Sequence, residues 1–519
     1  MVLLAQENRP LSAKMIRNVA FGGVRALLVA PVPFLMTPLI LSRIGTRGYG
    51  TWAVLATMNS LTSLADLGLL GTLSKYVAEY YAHRDFVQLN SLLNTGFAVF
   101  AGLASLIVVL FWIASSTVVR LLFRGSALTT PDLLFLFHCS LVLIWLNLVT
   151  FLSSSVTSGL QRLDITNVMA AFNVVFGALA GAFFLLKGWG VRGLLYGNIS
   201  SAALTLLIYS LLVRRLVPEL TMNPLLAKLD EAKKIFAFSW RVYLVQAASG
   251  IQNHFEKIVL ALFVGVVPVG WYDIASDTAL KIRGVPALLL SPVLPAAAEL
   301  DARGEKAKLV ELYYRTHKYL GFLAVPLVFF GVTVSARFVE LWIGPSLKFV
   351  ALPLSILLVV NLISLMTGPG YMIFVGQGLL WQGVRSVLVG LALGLPLSVF
   401  LIFRYGFAGA VTGTSISSLT ASILFVYLFH KETGNSLARL LSEAYMKPVL
   451  CSIVLLLVEF IVSPAIGLSW LGLAVQGCVF AIFYATLMLV AGFFDDYDWE
   501  RIEGVLPIAR LAKRILPVA

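Results

Sequence analysis

Residues 188–200 read GWGVRGLLYGNIS, and residues 404–417 read RYGFAGAVTGTSIS. A shift of 216 residues lays Gly190 on Gly406, Gly193 on Gly409, Gly197 on Gly413 and Ser201 on Ser417. A second shift, of 220, lays Gly45 on Gly265, Gly50 on Gly270, Trp52 on Tyr272, Ala78 on Ala298, Glu79 on Glu299 and Leu89 on Leu309. Glycines coincide by chance in apolar sequences, but here one offset holds across a hairpin and the loop after it. Spacing of this kind marks an internal duplication.

What is duplicated follows from composition. Of 519 residues, 59% are apolar and 12% charged, and the mean hydropathy is +0.93. A soluble domain is about 45–50% apolar and about 25% charged, so a water-soluble enzyme of several domains is excluded. Apolar runs of spanning length lie at about 17–41, 50–74, 89–117, 132–156, 166–186, 192–213, 236–263, 270–295, 318–341, 349–374, 384–403, 408–429, 446–466 and 469–491. The fold expected is an all-α integral membrane protein of about 14 transmembrane helices. Two parallel six-helix repeats form two lobes, and two extra C-terminal helices follow. Six is even, so the copies point the same way across the membrane, a plan that places a transport site between halves. The domains expected are an N-terminal lobe over 1–215, a cytoplasmic linker over 216–235, a C-terminal lobe over 236–432, two added helices over 433–492 and a cytoplasmic amphipathic tail over 493–519.

Charge gives the orientation. Loops on the N-terminal side hold twenty-four Lys and Arg, and the opposite side holds nine. The positive-inside rule then puts both termini in the cytoplasm of a multi-pass inner-membrane protein. No signal peptide is read, because the first apolar run is too long for one and lacks a small-residue cleavage site. The net charge of +13 is scattered over loops and suits anionic lipid surfaces better than nucleic acid. Cytoplasmic stretches at Leu225–Ile235, Glu299–Tyr314 and Glu503–Leu516 alternate apolar and basic residues as interfacial helices do. Cys139, Cys451 and Cys478 lie in apolar runs without metal-ligand or disulfide spacing.

Ionisable groups at mid-bilayer depth are costly and mark sites. Arg25 lies about 9 Å inside the first span, and Asp66 about 12 Å from the end of the second, at 1.5 Å per residue. They are candidates for a buried pair or for a working role. On the seventh span, Gln246, Ser249, Asn253, Glu256 and Lys257 make a polar stripe. On the eighth, Asp273, Asp277 and Lys281 follow at i+4 steps, with Arg283 nearby. Two cations there exceed the one deep acid, Asp277, which points to a cavity beyond an internal ion pair. Enzyme motifs such as HExxH, GxSxG and a P-loop are absent, and five scattered His residues hold no metal cluster. The run Asp495, Asp496, Asp498 reads as a solvated helix end after the last span. The last two spans, nearly charge-free apart from Glu459, read as facing lipid or a partner.

With these residues in place, the chain resembles the polysaccharide flippases (Wzx-type, lipid-linked oligosaccharide transporters) of the multidrug/oligosaccharidyl-lipid/polysaccharide (MOP) exporter superfamily. The resemblance rests on LSRIGTRGYGTWAVL, LADLGLLGTLSKYVAEYYAHRD, LNSLLNTG, SGLQR, FEKIVLALFVGVVPVGWYDIAS and YGFAGAVTGTSIS, and covers about residues 15 to 430. Trp271-Tyr272-Asp273 departs from the usual aromatic-aromatic-small pattern. The resemblance implies two lobes of six helices and a substrate of isoprenoid diphosphate joined to a short sugar chain. The substrate would move from the inner to the outer leaflet by alternating access, with no bond broken and no cofactor. A diphosphate needs cations to leave water, and Arg25, Arg241, Lys257, Lys281 and Arg283, with Asn253, are the candidate substrate-binding residues. Asp66, Glu256 and Asp277 are the candidates for pairing or for coupling to H+ or Na+. The alternatives are a multidrug or other small-solute antiporter of the same superfamily, a flippase for the peptidoglycan lipid precursor, and an intramembrane glycan transferase.

Overall fold

The computed structural model describes residues 22–23, 25–26, 28–60, 69–221, 223, 227–462 and 466–505. Of these, 69, 235–246, 248, 249, 253, 380, 382, 460, 462 and 501–505 are described as backbone only. Among the described residues there is no strand. In chain order the helices are α1 (Pro31–Ser60), α2 (Leu69–Ala82), α3 (Phe86–Ile113), α4 (Ser115–Leu122), α5 (Thr130–Gly159), α6 (Leu163–Leu186), α7 (Gly190–Leu216), α8 (Leu229–Phe263) and α9 (Val266–Ala287). There follow α10 (Val293–Ala302), α11 (Lys306–Ile343), α12 (Ala351–Leu365), α13 (Gly368–Gly376), α14 (Leu380–Tyr405), α15 (Phe407–Thr433), α16 (Leu437–Leu440), α17 (Lys447–Val462), α18 (Trp470–Val490) and α19 (Asp496–Val505). Two compact units result, Met1–Trp271 with Ile402–Ala410, and Tyr272–Leu401 with Val411–Ala519.

Eleven helices among the described residues are long and apolar enough to cross a membrane. They correspond to the third to sixth and eighth to fourteenth expected spans. The first, second and seventh run over 17–21, 61–68 and 235–246, which lie outside the described residues or are described as backbone only. Local signals set the helix starts. The Asp85 carboxylate accepts the Gln88 N–H at 2.9 Å ahead of α3, and the Ser469 hydroxyl accepts the Gly472 N–H at 3.0 Å ahead of α18, each satisfying a donor the helix leaves open.

Lipid tails are as apolar as leucine, so helices in a bilayer associate through close packing, for which small residues are needed. The two copies of the repeat solve this alike. In the first, a Cβ on Gly197 would lie 2.3 Å from the Gly181 nitrogen, so α6 and α7 touch backbone to backbone. In the second, a Cβ on Gly413 would lie 2.4 Å from Ser398 Oγ. The matching serines repeat the cross-helix bond, Ser201 Oγ donating to the Asn173 carbonyl at 2.6 Å and Ser417 Oγ to the Gly390 carbonyl at 3.1 Å. The hairpin turns repeat as well, with φ of 55° at Gly190 and 56° at Gly406, a region that favours glycine. Gly50 and its mate Gly270 lie against each other within the first unit, where a Cβ on Gly270 would come 3.1 Å from Gly50 Cα.

The segment between α7 and α8 is strapped to α3. Asn90 and Asn94 donate to the carbonyls of Glu219 and Thr221 at 2.9 and 2.7 Å, and Thr95 Oγ1 accepts the Lys228 N–H at 2.9 Å. The expected interfacial helix at 225–235 therefore takes another form. Residues 224–226 lie outside the described residues, and from Leu229 onward the chain is already the first turns of α8. The stretch from Glu299 to Tyr314 is likewise a break between α10 and α11 at Gly304, φ 71°. Most of the third stretch, from residue 506, lies outside the described residues.

Candidate functional site

α9 carries the densest set of the predicted site residues. Asp277 and Lys281 stand one helical turn apart and pair at 3.3 Å, and their side chains keep 41% and 37% of their surface exposed. Arg283, half-buried two residues on, donates from Nη1 to Asn361 Oδ1 of α12 at 3.4 Å. No carboxylate lies within ion-pair distance of that guanidinium among the described residues. Asn361 itself anchors back, its amide nitrogen donating to the Leu357 carbonyl at 2.8 Å. The expected excess of cation over acid is therefore located at Arg283, beside an acid already shared with Lys281. Asn361 was missed in the sequence, though a lone amide in the run LPLSILLVVNLISL was the signal that could have found it.

The other predicted residues fall elsewhere. Glu256 and Lys257 are buried near the end of α8, with 3% and 8% of their surface exposed, and belong to the first unit. Asn253 and Arg241 lie on the helical backbone of α8, and their side chains are outside the described residues. Arg25 is exposed and donates from Nη1 to Asn167 Oδ1 of α6 at 3.3 Å. Asp66, its expected partner, lies outside the described residues.

A second polar cluster sits in the second unit, and there the reading of Asp495, Asp496 and Asp498 as a solvated helix end is corrected for Asp498. That residue is 2% exposed. Its carboxylate accepts from Lys318, from Arg315 at 3.4 Å and from the Tyr319 hydroxyl at 2.5 Å. Asp495 and Asp498 cap one another at the start of α19, each carboxylate accepting the other's backbone N–H, at 3.0 and 3.1 Å. Burial alone would raise the Asp495 pKa, but the Asp498 N–H together with Lys318 and Arg315 outweighs it and holds that carboxyl at about 2. The two added helices expose apolar side chains such as Leu457, Ile461, Leu471 and Ile482, as expected of spans that face lipid or a partner. Glu459 is buried, 7% exposed, and accepts from Gln476 Nε2 at 2.6 Å across the α17–α18 seam. Among the described residues no group of three metal-ligating side chains converges.

With this geometry in hand, comparison with known proteins is informative. Residues 15–301 match the family described as polysaccharide biosynthesis protein. A putative O-antigen transporter of Shigella flexneri is 19% identical over 391 residues, covering 74% of this chain and 90% of that protein. A probable flippase, AglR, of Haloferax volcanii is 22% identical over 421 residues, with 80% and 83% covered. Among solved structures, the lipid II flippase MurJ in an inward closed conformation superposes with a TM-score of 0.76 at 13% identity, over 91% of this chain and 98% of that one. An inward-facing multidrug resistance MATE family transporter of the MOP superfamily gives 0.63 at 16% identity, over 79% and 98%. At these identities the two structures speak for the fold alone.

Proposed function

The chain belongs to the polysaccharide biosynthesis protein family, and from that premise we propose that it flips an isoprenoid-diphosphate-linked oligosaccharide from the inner to the outer leaflet for surface polysaccharide assembly. The observation that carries this reading is Arg283. A guanidinium in a span that meets, among the described residues, an amide and no carboxylate is open to an anionic ligand, and its planar fork suits a phosphate. The exposed Lys281–Asp277 pair supports the same reading, because a charged pair open over two-fifths of its surface cannot face hydrocarbon and needs a wet cavity. The named relatives, an O-antigen transporter and a flippase, are consistent with such a cargo.

In this mechanism the lobes 1–215 and 236–432, joined by 216–235, alternate access to the two leaflets, and the work is binding and release with no bond broken. Arg283 and Lys281 take the diphosphate, and Arg25, Arg241, Asn253 and Lys257 are further candidate substrate contacts. Asp277, paired with Lys281, is the candidate for coupling to H+ or Na+. Glu256 and Asp66 are the other acids for coupling to H+ or Na+. The test is protein-dependent movement of the lipid-linked glycan across sealed vesicles, where conversion of the donor into a new glycan product would instead indicate a transferase.

We also propose an inner-membrane orientation with both termini in the cytoplasm, motivated by the bias of twenty-four basic residues to nine. In a chain with Cys139, Cys451 and Cys478 replaced by Ser, Lys187→Cys should react with an impermeant maleimide in intact cells. Lys431→Cys should react only after permeabilisation. Equal labelling of the two would refute the orientation.

A further inference from the structure

Against the Asp498 cluster lies a cavity of 590 Å³ between α11, α16 with the turn that leads from it into α17, and the segment after α18. That volume is within the range of about 300–1,000 Å³ usual for small-ligand sites. Its depth can be read from α11. Lys318 is followed by an uncharged run from Tyr319 to Ala336, about 27 Å of helix at 1.5 Å per residue, which nearly matches the hydrocarbon thickness of about 30 Å. The cavity therefore opens at headgroup level, and its wall includes Tyr314 and Phe493, aromatic residues suited to that layer.

Arg315 and Lys318 at the back pair with Asp495 and Asp498, and Arg315 also donates to Glu311 at 2.8 Å. Arg439, Lys447 and Glu443 make up the rest of the charged wall. Arg439 is shared between Glu443 at 2.9 Å and the face of Tyr314. Lys447 donates to the Gly492 carbonyl at 2.7 Å and has no carboxylate partner among the described residues. Glu311 and Glu443 each keep about half of their side-chain surface open. A purely anionic ligand would meet two carboxylates there, and a purely cationic one would meet Arg439 and Lys447. A ligand bearing both signs meets a partner for each of its charges, on the open sides of Glu311 and Glu443 and on Arg439 and Lys447.

The geometry points to a binding site for an amine-bearing phospholipid headgroup, a phosphate ester carrying a primary ammonium. Lys447 and Arg439 take the phosphate, and Glu443 and Glu311 accept from the ammonium. Such a lipid would fasten the added helices to α11, independently of what the transporter carries.

The full-length protein in detergent is offered mixed micelles of phosphatidylethanolamine, phosphatidylcholine or phosphatidylglycerol with identical acyl chains, and retained lipid is read by native mass spectrometry. Phosphatidylethanolamine should be retained about tenfold more than phosphatidylcholine, whose quaternary ammonium has no N–H to donate, a fold-change in keeping with loss of one charge-assisted hydrogen bond. Glu443→Gln, at an exposed position that leaves the core intact, should abolish that preference, whereas Lys447→Gln should weaken retention of both lipids alike. Equal retention of the first two lipids, stronger retention of phosphatidylglycerol, a preference that survives Glu443→Gln, or retention unchanged by Lys447→Gln would overturn the assignment. Soluble O-phosphoethanolamine bound as tightly as the lipid would overturn the lipid source.

Discussion

Arg283→Gln is expected to stop transport of the diphosphate-linked glycan while leaving the amount of protein in the membrane unchanged. The reason lies in its partners. Arg283 touches an amide at 3.4 Å and, among the described residues, no acid, so removing its charge strands no buried carboxylate. What is lost is the grip on phosphate, where each charge-assisted hydrogen bond contributes about 1.5–3 kcal/mol, roughly a ten- to hundredfold loss of affinity. Arg283→Lys should retain part of the activity, because an ammonium keeps the charge but not the bidentate fork. Lys281 should behave differently. Lys281→Arg preserves its pair with Asp277 and should keep most transport, whereas Lys281→Gln removes a phosphate ligand. Protein level and transport are measured together by membrane immunoblot and by glycan display in cells. Loss of protein with Arg283→Gln would assign the residue a structural role instead.

Asp498→Asn is expected to give the largest loss of stability. The carboxylate is 2% exposed and is shared by Lys318, Arg315 and Tyr319. Removing one partner of a buried ion pair costs about 3–5 kcal/mol, because the other charge remains buried and uncompensated. Thermal unfolding of the detergent-solubilised protein should show a clear fall in Tm, and Asp495→Asn, at a half-exposed position, a smaller one. An unchanged Tm for Asp498→Asn would contradict the account. The sign of the pH effect follows from the same cluster. Asp495 has a folded pKa depressed from 3.8 to about 2. Its contribution is therefore present above the unfolded value and is lost as pH falls from about 4 toward 2.

The repeat was legible because its glycines answer to backbone geometry. Gly190 and Gly406 both sit at positive φ, and Gly197 and Gly413 both stand where a Cβ would clash, so residue type carries the constraint directly. The Asp277–Lys281 pair was legible for a similar reason, since a spacing of four on a helix is itself a contact. Contacts between distant segments were not. Arg25 was placed near Asp66 by matched depth; Asp66 lies outside the described residues, and the contact described, with Asn167 of α6, was not one that depth could indicate. Asp498 looked solvated within a run of acids, and its burial is decided by Lys318 and Tyr319, about 180 residues upstream. Depth and period can be read along one helix, whereas the neighbour it packs on is set by the whole fold.

The central claim is that this chain moves a diphosphate-linked glycan across a bilayer through a cationic site centred on Arg283. The most direct test places purified protein in sealed vesicles with a fluorescent isoprenoid-diphosphate oligosaccharide and measures how much of the probe becomes accessible to a quencher on the opposite face. Wild-type protein should move the probe, and the Arg283→Gln variant, reconstituted to the same density, should leave it where it was loaded. Equal movement by the two proteins, or none by the wild type, would contradict the account.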